Sequence, residues 1–383
     1  MSNILILGSG TQGLAIAKDL TQGGHKVFLY SEKHNYADSS RWICWKKECL
    51  SNPLSFSYLK EVLNIIERHQ IHAIIPMGDA LAEFLSKNKE VLCECTRIVM
   101  PEYEDFKKGC DKNSLMKICK EKGYPHPLTI NTVENLSTID KESLLFPLLI
   151  KPNITCGARG MTLVNSYEEL MNKYPAIRAE YGDCHLQKYV KQGGAQVEVQ
   201  LYIDENKKLV NSSVIYKYRW YPEKGGSSCC AVSIRNEKIV GILHQLLIDL
   251  NWVGFADFDT IEDPDTGELL IMELNPRVPA CVKCPIEAGI HWGQIIADTY
   301  LGNEQKIYSY KEGEYLRHLG FDTLWFLKSK NRFKTRPNWF KLLGKHIHYQ
   351  DMSGWSDPMP FLTGTLNNLR KIIFHRGKEK IVR

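Results

Sequence analysis

No apolar run in this chain of 383 residues approaches the roughly 18 residues of a membrane-crossing helix, which excludes a helical span from the reading. A charged segment followed by a signal-like apolar stretch is also missing from the N-terminus, so no secretory leader is expected. The twelve cysteines lack the spacing of a disulfide framework, which points to a reducing cytoplasm. Cys281-Val-Lys-Cys284 has no second CxxC or HxxxH to complete a four-ligand zinc site, and with Cys93-Glu-Cys95 it reads as plain thiols. There is no GxxxxGK(S/T) phosphate loop, no internal repeat and no low-complexity segment.

What is present is an ordinary globular composition, 43% hydrophobic and 24% charged, long enough for two or three domains. The net charge of +5 is unevenly placed. Residues 304–383 hold sixteen Lys and Arg against seven Asp and Glu, a net +9 that leaves −4 for residues 1–303. The C-terminal stretch therefore reads as a region apart.

The stretch from Gly254 to Arg277 organises the rest. It reads as a strand carrying Asp257 and Asp259, a turn over Asp263-Pro-Asp-Thr-Gly267, and a return strand to Glu273. Side chains alternate along a strand, so Asp257 and Asp259 share one face, as do Glu273 and Asn275. Paired as a hairpin, Asp257, Glu273 and Asn275 offer the hard oxygen ligands that Mg2+ takes beside nucleotide phosphates. Arg277, two residues on, can grip an anionic oxygen with two prongs. The plain alternative is a polar hairpin face bathed in water, and the other segments weigh against it.

At the start of the chain, strand Ile4–Leu7, the glycine turn Gly8-Ser-Gly10-Thr-Gln-Gly13, a helix from Leu14 to Gln22 and strand Lys26–Tyr30 open a Rossmann-type βαβ unit. Glu32 stands about 20 residues past the motif, where a ribose-binding acid would belong. One reading is an NAD(P) site; the other is a tight turn that binds nothing. Helices at Leu59–Arg68 and Ala80–Ser86, with strands at Ala73–Ile75 and Ile98–Met100, complete a small doubly wound unit.

Further on, Lys112 begins a helix, and the strand Phe146–Lys151 delivers a second lysine at its end. The glycine loop through Gly157, Arg159 and Gly160 follows, before Thr162–Val164 resumes the strand. Such a hairpin has the physics of a phosphate cover, since glycines let N–H groups turn inward and Lys151 and Arg159 supply positive charge. An ordinary surface hairpin is the alternative. Strand His185–Val190 carries Gln187, Lys188 and Val190, and strand Ala195–Ile203 puts Gln196 and Glu198 on one face. Strand Val214–Tyr218 ends in the basic, glycine-rich turn Arg219–Ser228, with Lys224 inside it, suited to an anionic group.

Taken in order, Lys112, Lys151 with its glycine loop, Gln187-Lys-Tyr-Val190, Asp257 and Glu273-Leu-Asn-Pro-Arg277 resemble the ATP-grasp superfamily, of the carbamoyl phosphate synthetase and biotin carboxylase type. The resemblance covers residue 1 to about 303. It implies a mixed α/β and α+β chain: a Rossmann-like pre-ATP-grasp domain (1–107), a small lobe (108–184), a large lobe with the metal site (185–303) and a basic extension (304–383). It also implies ATP with Mg2+ or Mn2+. Lys112 and Lys151 would hold the α- and β-phosphates, with Gly157, Arg159 and Gly160 closing over them. Gln187, Lys188 and Val190 would meet the adenine edge, Gln187 standing where the family usually has Glu, so that an amide reads the exocyclic amine. Gln196 falls near the ribose position, commonly acidic or His, with Glu198 next on that face. Asp257, Glu273 and Asn275 match the metal ligands, Arg277 the arginine facing the transferred group, and Arg219 and Lys224 the turn that binds the acid to be activated.

The activity so implied is a ligation of a small carboxylate to an amine or another nucleophile through an acylphosphate, with ADP and phosphate released. Positioning and fixed charge supply most of such catalysis, so no Ser-His-Asp or Cys-His set is required, and His185, His244 and His291 read as structural. Two alternatives stay open: an NAD(P)-dependent oxidoreductase resting on Gly8–Gly13 and Glu32, and a nucleotide-binding regulator with a silent site, given Gln187 and Gln196. The resemblance leaves room for a homodimer in the cytoplasm.

Residues 304–383 lie outside the resemblance. Between Leu324 and His348 stand seven Lys and Arg, no acid, and five aromatics: Trp325, Phe326, Phe333, Trp339 and Phe340. An interfacial patch touching anionic lipid, at the inner membrane face, is one reading. A surface for an acidic partner or nucleic acid is a second, although the chain as a whole gives no expectation of nucleic acid. The third is a basic surface whose aromatics pack on the body of the protein.

Overall fold

Four parallel strands open the chain: β1 (Asn3–Leu7), β2 (Lys26–Ser31), β3 (Trp45–Glu48) and β4 (Ala73–Pro76), in the order β3-β2-β1-β4. A parallel sheet is covered on both faces. Ile4 and Ile6 accordingly pack with Leu14, Ile16 and Leu20 of the helix Gly10–Gln22, while Leu5 and Leu7 pack with Val62 and Ile66 of the helix Phe56–His69. The computed structural model describes residues 1–32, 36–131, 136, 139–154, 159–191, 194–223 and 227–374, with side chains to 367. The expected strand Ile98–Met100 is absent; the neighbouring Arg97 makes a single bridge to Ala73. Strand β3, Trp-Lys-Lys-Glu, was hidden from the sequence because a partly exposed edge strand needs no apolar alternation.

A second sheet is antiparallel, with β5 (Thr129–Ile130), β6 (Leu148–Pro152), β7 (Thr162–Val164) and β8 (Cys184–Lys188) in the order β5-β8-β6-β7. The helix Tyr167–Tyr181 lies on it, and together they enclose a core of their own, with Leu148, Ile150, Val164, Leu170, Tyr174 and Leu186.

The largest sheet has seven strands: β9 (Gln196–Ile203), β10 (Leu209–Tyr221), β11 (Ser227–Ile234), β12 (Gly254–Glu262), β13 (Leu269–Asn275), β14 (Tyr315–Arg317) and β15 (Ile347–Tyr349). Their order is β13-β12-β9-β10-β11-β14-β15, antiparallel except for the last pair. The C-terminal region, set apart by its charge, thus contributes two strands to the main sheet. Strands of three residues are too short to show a period, and ladder hydrogen bonds do not depend on side-chain charge.

The first sheet and the large sheet share their cores. Leu5 and Leu7 belong to one cluster with Val199, Leu201, Trp252 and Phe258, and Ile4 and Ile6 to another with Phe255, Trp292 and Ile295. At the seam, Gly254 has φ +89°, and a Cβ there would stand 2.3 Å from the Val99 carbonyl oxygen. Only glycine fits.

Asp19, 1% exposed, ties the two parts again. It accepts from the N–H groups of Gly293 (2.8 Å) and Gln294 (3.3 Å) at the start of the helix Trp292–Leu301, and lies 2.8 Å from His291 Nδ1. An anion belongs at that helix end. The hydrogen bond to Asp19 raises the His291 pKa, against the smaller effect of burial. A raised folded-state pKa stabilises fully below the ordinary imidazole range, and that contribution fades as pH rises through the folded-state value. NMR titration is expected to place the His291 midpoint above the usual range, and Asp19→Asn to return it.

Candidate active site

The hairpin register sets Asp257 opposite Asn275 and Asp259 opposite Glu273, with a bulge after Asp259. On its other side β12 pairs with β9, placing Gln200 opposite Asp257 and Glu198 opposite Asp259. Opposed residues share a face, so six polar side chains from three strands form one floor. Lys217 of β10 closes it: its Nζ lies 2.9 Å from Glu198 Oε2 and 2.5 Å from Asp259 Oδ1. Burial alone would strip the charge from Lys217, but Asp259 and Glu198 more than offset that and hold its pKa well above the ordinary lysine range. Glu198, 3% exposed, also accepts from Gln200 Nε2 (2.9 Å) and the Cys281 thiol (2.6 Å).

Above the floor stand two lysines. Lys112 opens the helix Lys112–Lys122, capped by Asp111, whose carboxylate accepts from the Ser114 N–H at 2.7 Å. The Lys112 Nζ reaches across to Glu273 Oε2 at 3.2 Å. Lys151, 3% exposed, donates to Gln187 Oε1 at 2.9 Å, and Gln187 Nε2 in turn donates to Thr129 Oγ1 at 3.1 Å. Burial pushes the Lys151 pKa down to about 8, with Glu273 opposing the fall and Lys112 adding to it. His185, opposite Lys151 on β8, lies 2.9 Å from Asn153 Oδ1, and burial with the two lysine charges pushes it down to about 3. It is neutral and structural.

Several side chains sit otherwise than the sequence suggested. The Gln187 amide is engaged on both sides by the protein, so it orients Lys151 rather than facing outward to read an amine. Arg219, expected in an anion-binding turn, is 2% exposed and grips both oxygens of Asp322 at 2.8 and 3.0 Å. Its remaining donor serves Thr335 Oγ1 (3.1 Å) and the Pro337 carbonyl (2.9 Å), so it fastens the C-terminal region to β10. Gly8–Gly13 is packed with protein: Gln350 donates to Thr11 Oγ1 and the Ala280 carbonyl, and a Cβ at Gly8 would meet Leu81 at 2.7 Å. Lys188 and Arg159 are exposed, Val190 and Gln196 half-buried. Gly160 has φ +73°, and a Cβ there would strike Pro152 and Tyr181 at 2.8 Å. Gly157 and Lys224 lie outside the described residues.

Arg277 stands at the end of the floor. Its Nε donates to Asp79 Oδ1 at 2.9 Å, from the first turn of the helix Asp79–Lys87 after β4. Burial disfavours its charge, yet Asp79, Asp257, Glu198 and Asp259 outweigh that and raise its pKa. Asp79 and Lys217 were missed from the sequence. A lysine inside the apolar run Val-Ile-Tyr-Lys-Tyr was the one available signal for Lys217, and its partners needed the register.

The donor set fits a divalent cation. Asp257 is 2% exposed; its Oδ1 has no hydrogen-bond partner, and its Oδ2 accepts from Asn275 Nδ2 at 3.3 Å. Burial, then the charges of Glu198 and Asp259, push its pKa well up, against smaller opposing effects of Lys217 and Arg277. Among the described residues no three His, Cys, Asp or Glu side chains form a closed metal site. A cation here would therefore take the Asn275 amide oxygen and oxygens from a ligand, as Mg2+ does.

Residues 111–218 match the family model "Carbamoyl-phosphate synthase L chain, ATP binding domain". The chain is 25% identical over 263 residues to the carbamoyl phosphate synthase large chain, C-terminal section, of Methanopyrus kandleri, covering 64% of this chain and 47% of that protein. It is 25% identical over 240 residues to a D-aspartate ligase of Enterococcus faecium, covering 55% of this chain and 54% of the ligase. It spans about half the length of these curated relatives. Among solved structures, the biotin carboxylase domain dimer of Hydrogenobacter thermophilus 2-oxoglutarate carboxylase, in complex with MgADP, ADP and bicarbonate, superposes with a TM-score of 0.66 at 15% identity. That match covers 82% of this chain and 73% of the other. The chain has the ATP-grasp fold, and its resemblance to the ATP-grasp superfamily of the carbamoyl phosphate synthetase and biotin carboxylase type holds.

Proposed function

We propose that this protein is an ATP-dependent carboxylate–amine ligase, or one using another nucleophile, which releases ADP and phosphate through an acylphosphate. One observation carries the reading: Lys112 lies 3.2 Å from Glu273, Lys151 feels the charges of both, and Asn275, two residues on from Glu273, bonds to Asp257, so the two lysines and the three oxygen-bearing side chains converge. In this reading residues 1–107 are a Rossmann-like pre-ATP-grasp domain, 108–184 the small lobe, 185–303 the large lobe and 304–383 a basic extension. The nicotinamide alternative is not favoured, because the glycine turn is filled by Gln350 and Leu81.

ATP would lie between the sheets. Lys112 and Lys151 hold its phosphates, Arg159 and Gly160 form part of the cover with Gly157, and the backbone from Lys188 to Val190 meets the adenine. Gln196 is left to meet the ribose, since the Glu198 carboxylate is already satisfied by Lys217, Gln200 and Cys281. Asp257, Glu273 and Asn275 would hold Mg2+ or Mn2+, which when bound would screen the phosphate charge and polarise the transferred phosphoryl group. A substrate carboxylate attacks the γ-phosphorus; ADP leaves; an amine then displaces phosphate from the acylphosphate. Arg277, braced by Asp79, faces the negative charge that develops in both steps. Lys224, in the glycine-rich turn, belongs to the same acid-binding region.

The reading includes small-molecule substrates, a homodimer and a cytoplasmic location; no helix among the described residues is long and apolar enough to cross a membrane. Its test is Mg2+-dependent ADP release over a panel of acids and amines. Release that requires both an acid and an amine is expected. Hydride transfer from NADPH with no ADP formed would overturn the proposal.

Lys151 gives the site a pH dependence. Phosphates favour its charged form, so nucleotide affinity is expected to fall as pH rises through about 8. Gln187→Glu gives that ammonium an anionic partner and is expected to move the fall to higher pH. Isothermal titration across pH reads both.

A further inference from the structure

Of the large apolar side chains left on the surface, four fall in one short segment of the C-terminal region. Leu327 is 62% exposed, Phe333 71%, Phe340 60% and Leu343 84%. Trp325, in contrast, is buried over the Arg219 guanidinium, and Trp339 stacks on Phe326 at 4.1 Å between centroids. The structure thus divides the aromatics of this segment between packing and display. Phe326 is the pivot, with Phe333 and Phe340 edge-on to it at 5.7 and 5.4 Å.

In the same segment stand Lys328, Lys330, Arg332, Lys334, Arg336, Lys341 and Lys345, all exposed except the half-buried Arg332, whose guanidinium lies over the Phe333 ring. None of the seven makes an ion pair with a described residue, and no acid occurs between Leu324 and His348. The display is anchored to the body of the protein. Arg219 and Arg317 both bind Asp322, and they reach the carbonyls of Pro337, Trp339 and Lys341 beneath the exposed side chains.

We infer that this face docks the protein onto an anionic lipid surface, with Leu327, Phe333, Phe340 and Leu343 entering the headgroup region and the basic side chains held by lipid charge. Exposed apolar side chains interspersed with lysines and arginines that have no carboxylate partner are what an interfacial site needs. A second copy of the chain fits poorly, because a two-fold interface would set these cations against their own images. Single-stranded nucleic acid would use the aromatics by stacking, but has no use for Leu327 and Leu343. The inference stands apart from the ligase reading, since no residue of the nucleotide site takes part.

Sedimentation of the full chain with vesicles tests it. Vesicles of phosphatidylcholine with about a third phosphatidylserine are expected to carry down the protein at about 0.1 M salt, and at least about ten-fold less at 0.5 M, where exposed charges are screened. Pure phosphatidylcholine is expected to carry down little. Leu343→Ser with Phe333→Ser, both at exposed sites, is expected to lower binding several-fold while the melting temperature stays put. Lys334→Glu with Lys341→Glu is expected to do the same. Failure of the wild type to sediment with anionic vesicles overturns the inference, as does binding indifferent to the Leu343 and Phe333 changes. Salt-sensitive capture of a single-stranded oligonucleotide without vesicle binding, or dimer loss in the double serine variant with vesicle binding unchanged, overturns it in favour of those occupants.

Discussion

Asp322→Ala is expected to destabilise the protein by about 3–5 kcal/mol, the usual cost of leaving buried charge unpaired. Arg219, Arg317 and Asp322 are at most 2% exposed, and Asp322 is the shared counter-charge of both arginines, at 2.8 and 3.0 Å from one and 2.6 Å from the other. Removing it would strand two guanidinium groups in the interior and loosen the segment that they hold by its carbonyls. Asp322→Asn keeps the shape and loses the charge, so it is expected to fall in the same range. Chemical denaturation measures both. Because Arg219 is turned away from the nucleotide space, turnover per folded molecule is expected to stay near wild type. Near-native stability of both variants would remove the clamp from this account, and lost turnover in a folded variant would return Arg219 to the reaction.

Glu273→Ala is expected to lower ADP release by about 10²–10³-fold or more, since metal charge supplies several kcal/mol and each 1.36 kcal/mol is a factor of ten. Lys151→Met, which keeps the volume and removes the ammonium, is expected to act as strongly on nucleotide binding. The two should differ in kind. Without Glu273, Lys112 loses its 3.2 Å partner and the cation loses a ligand, so raising Mg2+ recovers part of the rate. No concentration of metal replaces Lys151. A folded Glu273→Ala protein with full turnover would end the metal assignment.

Much of the frame was readable in the sequence, because it is local. Ile4–Leu7 running into glycines, the Asp-Pro and Thr-Gly turn of the β12–β13 hairpin, and Glu273-Leu-Asn-Pro-Arg277 each lie within a short window, and the order of such pieces along the chain carried the ATP-grasp resemblance. What escaped was non-local. Lys217 becomes part of the floor only when β10, β9 and β12 take their register. Arg219 looked like an anion binder because its neighbours in the chain are basic and glycine-rich, while its real partner stands 103 positions later. Gln187 lies on a well-placed strand, but its amide direction is set by Lys151 and Thr129 from two other strands.

The second sheet keeps a hydrophobic interior to itself, whereas the first and third are fused through common clusters. Any large rearrangement that admits or releases a ligand therefore falls to one party. If the site opens, the sheet carrying Lys151 is the part expected to move as a unit, with Arg277, Asp79 and the acidic floor as the fixed base it closes against.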